Sequence, residues 1–413
     1  GEGEEAFEVA SSALEREKDP QLSDDDKATF EAGNTGFAFD LYSELAAEDE
    51  GNMFISPVSI SIALAMTYAG AEDVTEVEMA EVMGFNLPEA TQHKAFNWLD
   101  QELNSRGEGA EAADGEPFRL NVVNAIWGQR EYTFLDSFLD TIALNYGTGL
   151  NLLDFMGNVE AARVVINGWV AEQTEDRIPE LIPAGILTSA TRLVLTNAVY
   201  FNAAWASQFE ETATEDDTFF TYDGEEVPVA MMHQIEYYSY ADMEGFQAFG
   251  MGYDGNELEM LVLLPDEGLF DEVEAKLSAD LLTEVLEART AKQLDLRFPR
   301  VEFAADYDLV EPLKAMGMSS AFEAGDADFS GMDGKRVLFI AAIIHKSFVK
   351  LDEKGTEAAA ATAVIMREGT TDIGDPPPPP IVVTVDRPFI FVIRDIKTGT
   401  IVFMGRIADP TAG

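Results

Sequence analysis

Catalytic chemistry in this chain would fall to its three histidines, His93, His233 and His345, because cysteine is absent. They stand far apart, without the short spacing that marks a metal site. A Ser-His-Asp arrangement needs no sequence adjacency, yet no G-x-S-x-G, H-E-x-x-H or Walker A sequence accompanies them. Each histidine therefore reads as structural. With 77 Asp plus Glu, chance carboxylate pairs are inevitable and carry no weight as glycosidase evidence. Gly250-Met251-Gly252-Tyr253-Asp254-Gly255 matches G-x-G-x-x-G, but a strand pattern at Leu258–Leu264 follows where a dinucleotide site needs a helix. That match is a turn. Neither an enzyme, a cofactor nor a metal is expected.

The stretch that does carry information is Glu353-Lys354-Gly355-Thr356-Glu357-Ala358-Ala359-Ala360-Ala361-Thr362-Ala363, followed by Pro376–Pro380. Alanine favours helix, but Gly355 and the prolines bracket the run, and proline cannot continue a helix or a central strand. Side chains at alternate positions of a strand face one side. Thr356, Ala358, Ala360 and Thr362 are all small, and Glu357 falls on the opposite phase. A charge at any of the four would cost several kcal/mol on burial. The segment can thus be an exposed loop in one state and a buried strand in another. Ordering roughly 15 residues at about 1 kcal/mol per hydrogen bond would release on the order of 10 kcal/mol.

The elements around it are legible. Ser23 with Asp24–Asp26 forms a helix start, and Phe37, Leu41 and Leu45 continue at helical spacing. Ser56-Pro57 places a capping hydroxyl before a proline at the first helical position. The helix Val58–Tyr68 is apolar nearly all round and should be central. Further helices fit 74–83, 90–105, 135–145 and 158–176, and Gly107–Pro117 reads as a surface loop. Strands follow at Arg192–Phe201, Leu258–Leu264 and Ile343–Leu351, with a C-terminal hairpin from Phe389 to Met404. Helices first and strands later argue for an α+β chain. Residues 1–27 read as a poorly ordered acidic tail. No linker divides 28–410, so one domain is expected.

The formal charge is -51, from 26 Lys plus Arg against 77 acids. That excludes nucleic acid, an anionic membrane surface and a heparin-type polyanion as partners, since each needs a basic face. The acids are dispersed through every segment, which suits solubility in high salt better than a patch for a basic partner. The first 22 residues lack an apolar stretch, so no signal peptide is expected there. No uninterrupted apolar run reaches the ~18 residues of a spanning helix, and a soluble molecule is expected.

Six segments, in order, resemble the serpin (serine protease inhibitor) family: Asn52-Met53-Phe54-Ile55-Ser56-Pro57-Val58-Ser59-Ile60, Leu195-Thr196-Asn197-Ala198-Val199-Tyr200-Phe201 with Trp205, Ala327-Asp328-Phe329-Ser330-Gly331-Met332, Ile344-His345-Lys346-Ser347-Phe348-Val349, the Glu353–Thr362 run, and Asp386-Arg387-Pro388-Phe389. The resemblance covers about residues 28 to 410. It implies a metastable fold of about nine helices and three β-sheets with an exposed reactive-centre loop, here about 353–380. It implies a suicide-substrate inhibitor of serine or cysteine proteases, monomeric and extracellular or at the cell surface, with the cytoplasm as alternative. A halophilic archaeon or bacterium is the expected source, and a subtilisin-like or trypsin-like enzyme the expected partner.

The resemblance also carries over residues. Glu353, Gly355, Thr356, Glu357, Ala358, Ala359, Ala360, Ala361 and Thr362 match the loop hinge. Ser56, Ser59, Asn197 and His345 match the polar cluster, called the shutter, where the strands of the main sheet part. Trp205, Arg300 and Glu353 match the breach, where the loop first enters. Counting forward from Glu353 puts the scissile bond at Gly369–Thr370. Counting back from Pro388 puts it about eight residues later, in the proline run, a spacer about 15 Å long. Met366, Arg367 and Glu368 are the alternatives. The other functional reading is a non-inhibitory serpin acting as a chaperone or binding protein.

Overall fold

In a computed structural model, which describes residues 7–112, 115, 117–356 and 378–412, the chain forms ten α-helices and sixteen strands among those residues. In chain order they are β1 (Glu8–Ala10), α1 (Asp24–Glu48), β2 (Met53–Ile55), α2 (Pro57–Tyr68), α3 (Asp73–Met83), α4 (Glu89–Asn104), β3 (Arg119–Gln129), α5 (Asp136–Tyr146), β4 (Leu150–Leu153) and α6 (Val159–Gln173). Next come β5 (Leu193–Ala204), β6 (Glu215–Phe220), β7 (Glu226–Met243), β8 (Phe246–Gly252), β9 (Leu258–Pro265), α7 (Phe270–Glu274), α8 (Ala279–Ala288), β10 (Thr290–Pro299) and β11 (Val301–Asp308). The chain ends with α9 (Val310–Ala315), α10 (Ser330–Asp333), β12 (Ile340–Leu351), β13 (Gly355–Thr356), β14 (Ile381–Thr384), β15 (Phe389–Asp395) and β16 (Ile401–Ile407).

The strands fall into two hydrogen-bonded networks. One runs β1-β4-β3-β5-β13-β12-β11, the other β14-β10-β7-β8-β9-β15-β16-β2, with β6 also on β7. The resemblance implies three sheets, and the reason two are joined is β7. This strand pairs with β6 over Glu226–Met231, with β10 over Met231–Tyr240 and with β8 over Ser239–Met243, so it passes unbroken from one sheet into the next.

Every residue of α2 is buried, as its all-round apolar sequence requires. It packs beneath β3 and β5 at the centre of the molecule. The main sheet divides its side chains by the two-residue period. Leu193, Leu195, Val199 and Phe201 of β5 join the principal core, while Val194 and Ala198 join a second cluster with Trp127, Ala342, Ile344 and the apolar face of α6. One face of the sheet thus rests on the core and the other on α6.

Two expectations need correction. Residues 7–27, expected as a tail, are structured: β1 pairs antiparallel with β4, and α1 begins at Asp24, at the helix start read from Ser23 and Asp24–Asp26 and not at the expected domain boundary of 28. The physical reason is local satisfaction. Ser23 and Asp26 form a reciprocal capping box, Arg16 pairs with Asp100 at 2.7 Å, and Phe7 sits edge-on against Trp127. The second concerns Ser56, which stands at the N-cap of α2 without capping it. Its hydroxyl donates instead to the carbonyl of Val402 on β16.

Candidate functional site

The seam between β5 and β12 is the unusual feature of the main sheet. The two strands are parallel and directly paired from Leu193↔Ile340 to Val199↔Ser347. Beyond that they part, and Gly355-Thr356 lies between them, pairing with Ala203–Ala204 of β5 and with Leu351 of β12. Only glycine fits the first of these positions, since a Cβ on Gly355 would stand 2.1 Å from the carbonyl oxygen of Ala203. Thr356 is buried, and its hydroxyl meets Tyr253 Oη at 2.9 Å on the core side. Glu357, Ala358, Ala359, Ala360, Ala361 and Thr362, together with Met366, Arg367, Glu368, Gly369 and Thr370, lie outside the described residues.

Ser56, Ser59, Asn197 and His345 come together in the closed part of the seam, all fully buried. Asn197 is on β5, His345 on β12, and the two directly oppose each other. The Asn197 side-chain oxygen accepts from Ser59 Oγ at 2.7 Å and bonds the Nδ1 of His345, while its amide donates to Asn124 on β3. The other ring nitrogen, Nε2, accepts from the Ser56 backbone N–H at 3.2 Å. His345 is thereby fixed as the neutral Nδ1–H form. Burial pushes its pKa down to about 3. Tyr307 of β11 stacks on the ring, and the neighbouring Ser347 Oγ donates to the Phe54 carbonyl at 2.6 Å.

At the parted end, Trp205, Arg300 and Glu353 also converge. The guanidinium of Arg300 binds the Glu353 carboxylate through Nε at 2.9 and 3.0 Å and through its terminal nitrogen at 2.5 Å. Burial opposes ionisation of Glu353, but bonds from Arg300 and Thr214 outweigh it and hold its pKa below the ordinary range. Trp205 Nε1 donates to the Asp352 carbonyl, its backbone N–H to the Lys354 carbonyl, and its ring stacks on Tyr253 at 4.7 Å. The first loop residues are clamped from both sides.

Neither remaining histidine joins the site. His233 Nε2 meets Asp295 at 2.8 Å on a sheet face, and buried His93 meets Tyr146 Oη at 2.7 Å. Sequence reasoning missed Asn124, Tyr307 and Tyr253, which carry no signature of their own. Tyr253 is the one with a usable signal, since it stands in the turn of the rejected glycine motif.

The serpin (serine protease inhibitor) family model matches residues 32–410. An uncharacterised serpin-like protein of Thermococcus kodakarensis is 40% identical over 91% of this chain and 85% of its own length. Human leukocyte elastase inhibitor is 36% identical over 92% of this chain and 99% of its own. Among solved structures, human thyroxine-binding globulin complexed with its hormone aligns with a TM-score of 0.83 at 32% identity, covering 94% of this chain and 100% of that one. Uncleaved ovalbumin aligns at 0.81 and 25% identity, covering 92% and 100%. The chain belongs to the serpin family and has its α+β fold. No helix among the described residues is long and apolar enough to cross a membrane.

Proposed function

We propose that this chain is a suicide-substrate inhibitor of serine proteases, of subtilisin-like or trypsin-like type, with cysteine proteases as a second class. The observation that carries the reading is the seam: β5 and β12 are closed over most of their pairing and parted at one end by Gly355-Thr356. The native state is metastable in this reading. The protease serine attacks the carbonyl carbon of Gly369, an ester forms, and the amine of Thr370 leaves with a proton and the C-terminal peptide. Met366, Arg367 and Glu368 are the alternative positions for the cut. The freed segment then zips between β5 and β12 behind Thr356, inward at Ala358, Ala360 and Thr362 and outward at Glu357, Ala359 and Ala361.

Insertion has to break the bridge between Asn197 and His345, because those side chains join the two strands that separate. The backbone N–H of Ser56, at the N-cap of α2, holds His345, and the hydroxyl of Ser59 within α2 holds Asn197. The Arg300–Glu353 pair keeps the loop base in place while the rest moves. The inhibitor acts as a monomer on a protease outside the cell or at its surface, with the cytoplasm as the alternative, and its acid excess fits a halophilic source. A binding role is the competing reading, favoured by the likeness to thyroxine-binding globulin complexed with its hormone.

Incubation with subtilisin and with trypsin in molar salt separates the two. The expected result is a covalent complex on denaturing gels and a released peptide whose mass locates the bond. Cleavage without any complex, across a broad protease panel, overturns the inhibitor reading.

A further inference from the structure

The segment ahead of α1 is fastened to the molecule at both ends. At one end β1 pairs along the edge of β4, and Phe7 sits edge-on at 5.1 Å against Trp127 of β3. At the other, Ser12 Oγ donates to Asp140 of α5 at 2.5 Å, and Arg16 binds Asp100 and the Asn97 side chain of α4, each at 2.7 Å. The Glu17 N–H donates to the Leu144 carbonyl of α5 at 2.9 Å. Ser11 alone lies between β1 and the first of these anchors. The segment stands wholly ahead of residue 32, where the family match begins, so membership of the family assigns it no role.

The two ends hold parts of the fold that insertion moves apart. β4, β3 and β5 are hydrogen-bonded side by side and form one slab on the near side of the seam. On the far side, β12 and β11 are fixed to β2: the Ser347 hydroxyl donates to the Phe54 carbonyl at 2.6 Å, and the Phe54 N–H to Tyr307 Oη at 3.4 Å. A strand entering between β5 and β12 needs about 4.8 Å of width, and the slab is the side left to give it. α4 is seated elsewhere. Its Phe96 packs edge-on against Phe30 of α1 at 4.8 Å, and its His93 meets Tyr146 of α5 at 2.7 Å. One residue spans at most about 3.6 Å, so the link through Ser11 has no slack for such a shift.

We propose that residues 7–17 form a strap that holds the seam shut and lets go at its β1 end when the sheet opens; the inference rests on the reading above, in which β5 and β12 separate. The bonds select that end. Three residues of pairing and one ring contact hold the strap to the sheet. Backbone and charge-assisted bonds to two helices hold the other end, and charge-assisted bonds are the stronger kind. The strap acts on a rate, because β1 has to leave β4 before a strand can enter. Fastening it slows insertion after the cut. Water then has time to attack the ester carbonyl: the protease serine leaves with a proton and the cleaved chain is released as a carboxylic acid. Loosening the strap has the opposite effect and lets the uncut loop enter unprompted.

The test uses the full chain, and the absence of cysteine makes it clean. Val9 and Asn151 oppose each other in the β1–β4 ladder, a spacing that a disulfide can bridge. Val9→Cys with Asn151→Cys is compared with itself, oxidised and reduced, against subtilisin and trypsin in molar salt. Oxidation is expected to raise the number of chains cleaved per protease trapped about five-fold, with the rate of first attack unchanged. A second arm needs no protease. Phe7→Ala, Leu14→Ser and the parent are held below their thermal midpoints, and the monomer that resists urea at the parent's midpoint is counted, since an inserted strand adds hydrogen bonds. Phe7→Ala is expected to form it about ten-fold faster than the parent; Leu14→Ser, which alters a 46% exposed strap residue, should match the parent. An unchanged ratio on oxidation overturns the strap, as does Phe7→Ala converting no faster than Leu14→Ser or yielding only unfolded or aggregated chain. Either result leaves the inhibitor reading standing. A parent that traps neither protease overturns that reading, and the protease-free arm then decides the strap alone.

Discussion

At the scale of single residues, the seam is closed by one shared oxygen. Asn197 Oδ1 takes bonds from Ser59 and His345, and the imidazole has no second acceptor for a second proton, because Nε2 already receives the Ser56 N–H. The native state thus excludes a proton that the unfolded chain accepts near pH 6.5. The folded pKa, about 3, lies below the unfolded one. Stability from this group is therefore complete above about pH 6.5 and is lost as pH falls toward 3, at about 1.4 kcal/mol per unit. His345→Asn is expected to remove that slope at a cost of about 1–3 kcal/mol for the lost bonds. Urea midpoints of the parent and variant from pH 5 to 7.5 check it; parallel curves would refute the neutral imidazole. Ser56, Ser59, Asn197 and His345, carried over from the family resemblance, lie together in the structure. The motifs could not name Asn124 or Tyr307, whose roles depend on cross-strand register.

Elements show the same division between what patterning reveals and what pairing decides. The all-apolar run at 58–68 announces α2, and the run at 192–201, apolar on both faces, announces β5, since burial leaves its trace in the sequence. Three-residue β1 leaves none. Acidic composition around it reads as tail, yet the edge of β4 offers free backbone groups and β1 takes them. The segment behind it is anchored as well: Ser12 Oγ meets Asp140 at 2.5 Å, and Asn97 and Gln101 donate to the Glu17 carbonyl at 2.8 and 2.9 Å. Removing residues 1–22 deletes these bonds and the Phe7–Trp127 contact. At about 1 kcal/mol for each net hydrogen bond, a few kcal/mol are lost, read as a thermal midpoint lower by about 5 °C. A truncated chain that melts with the parent would make this segment a passenger.

For the whole molecule, charge is the term that fold and motif leave unexplained. Seventy-seven acids against 26 bases produce self-repulsion that favours expansion of the chain. Its trace is visible locally: burial first, then the like charges of Glu89, Glu72 and Asp73, raise the pKa of Glu76 above the usual carboxylate range. Most of the other acids face solvent, where added salt shortens the repulsion from about 10 Å at 0.1 M to about 3 Å at 1 M. Ion pairs such as Arg106–Asp395, buried at 2.6 Å, are screened much less and remain. Salt therefore weakens the destabilising term more than the stabilising one. The urea midpoint at pH 7 should rise steadily between 0.1 and 2 M KCl, and sulfate should raise it further by strengthening apolar burial. At pH 4.5, where part of the carboxylate charge is gone, the same salt series should have a smaller effect. A midpoint indifferent to KCl at both pH values would show that the acids are neutralised within the folded chain and would remove the physical basis for a high-salt adaptation.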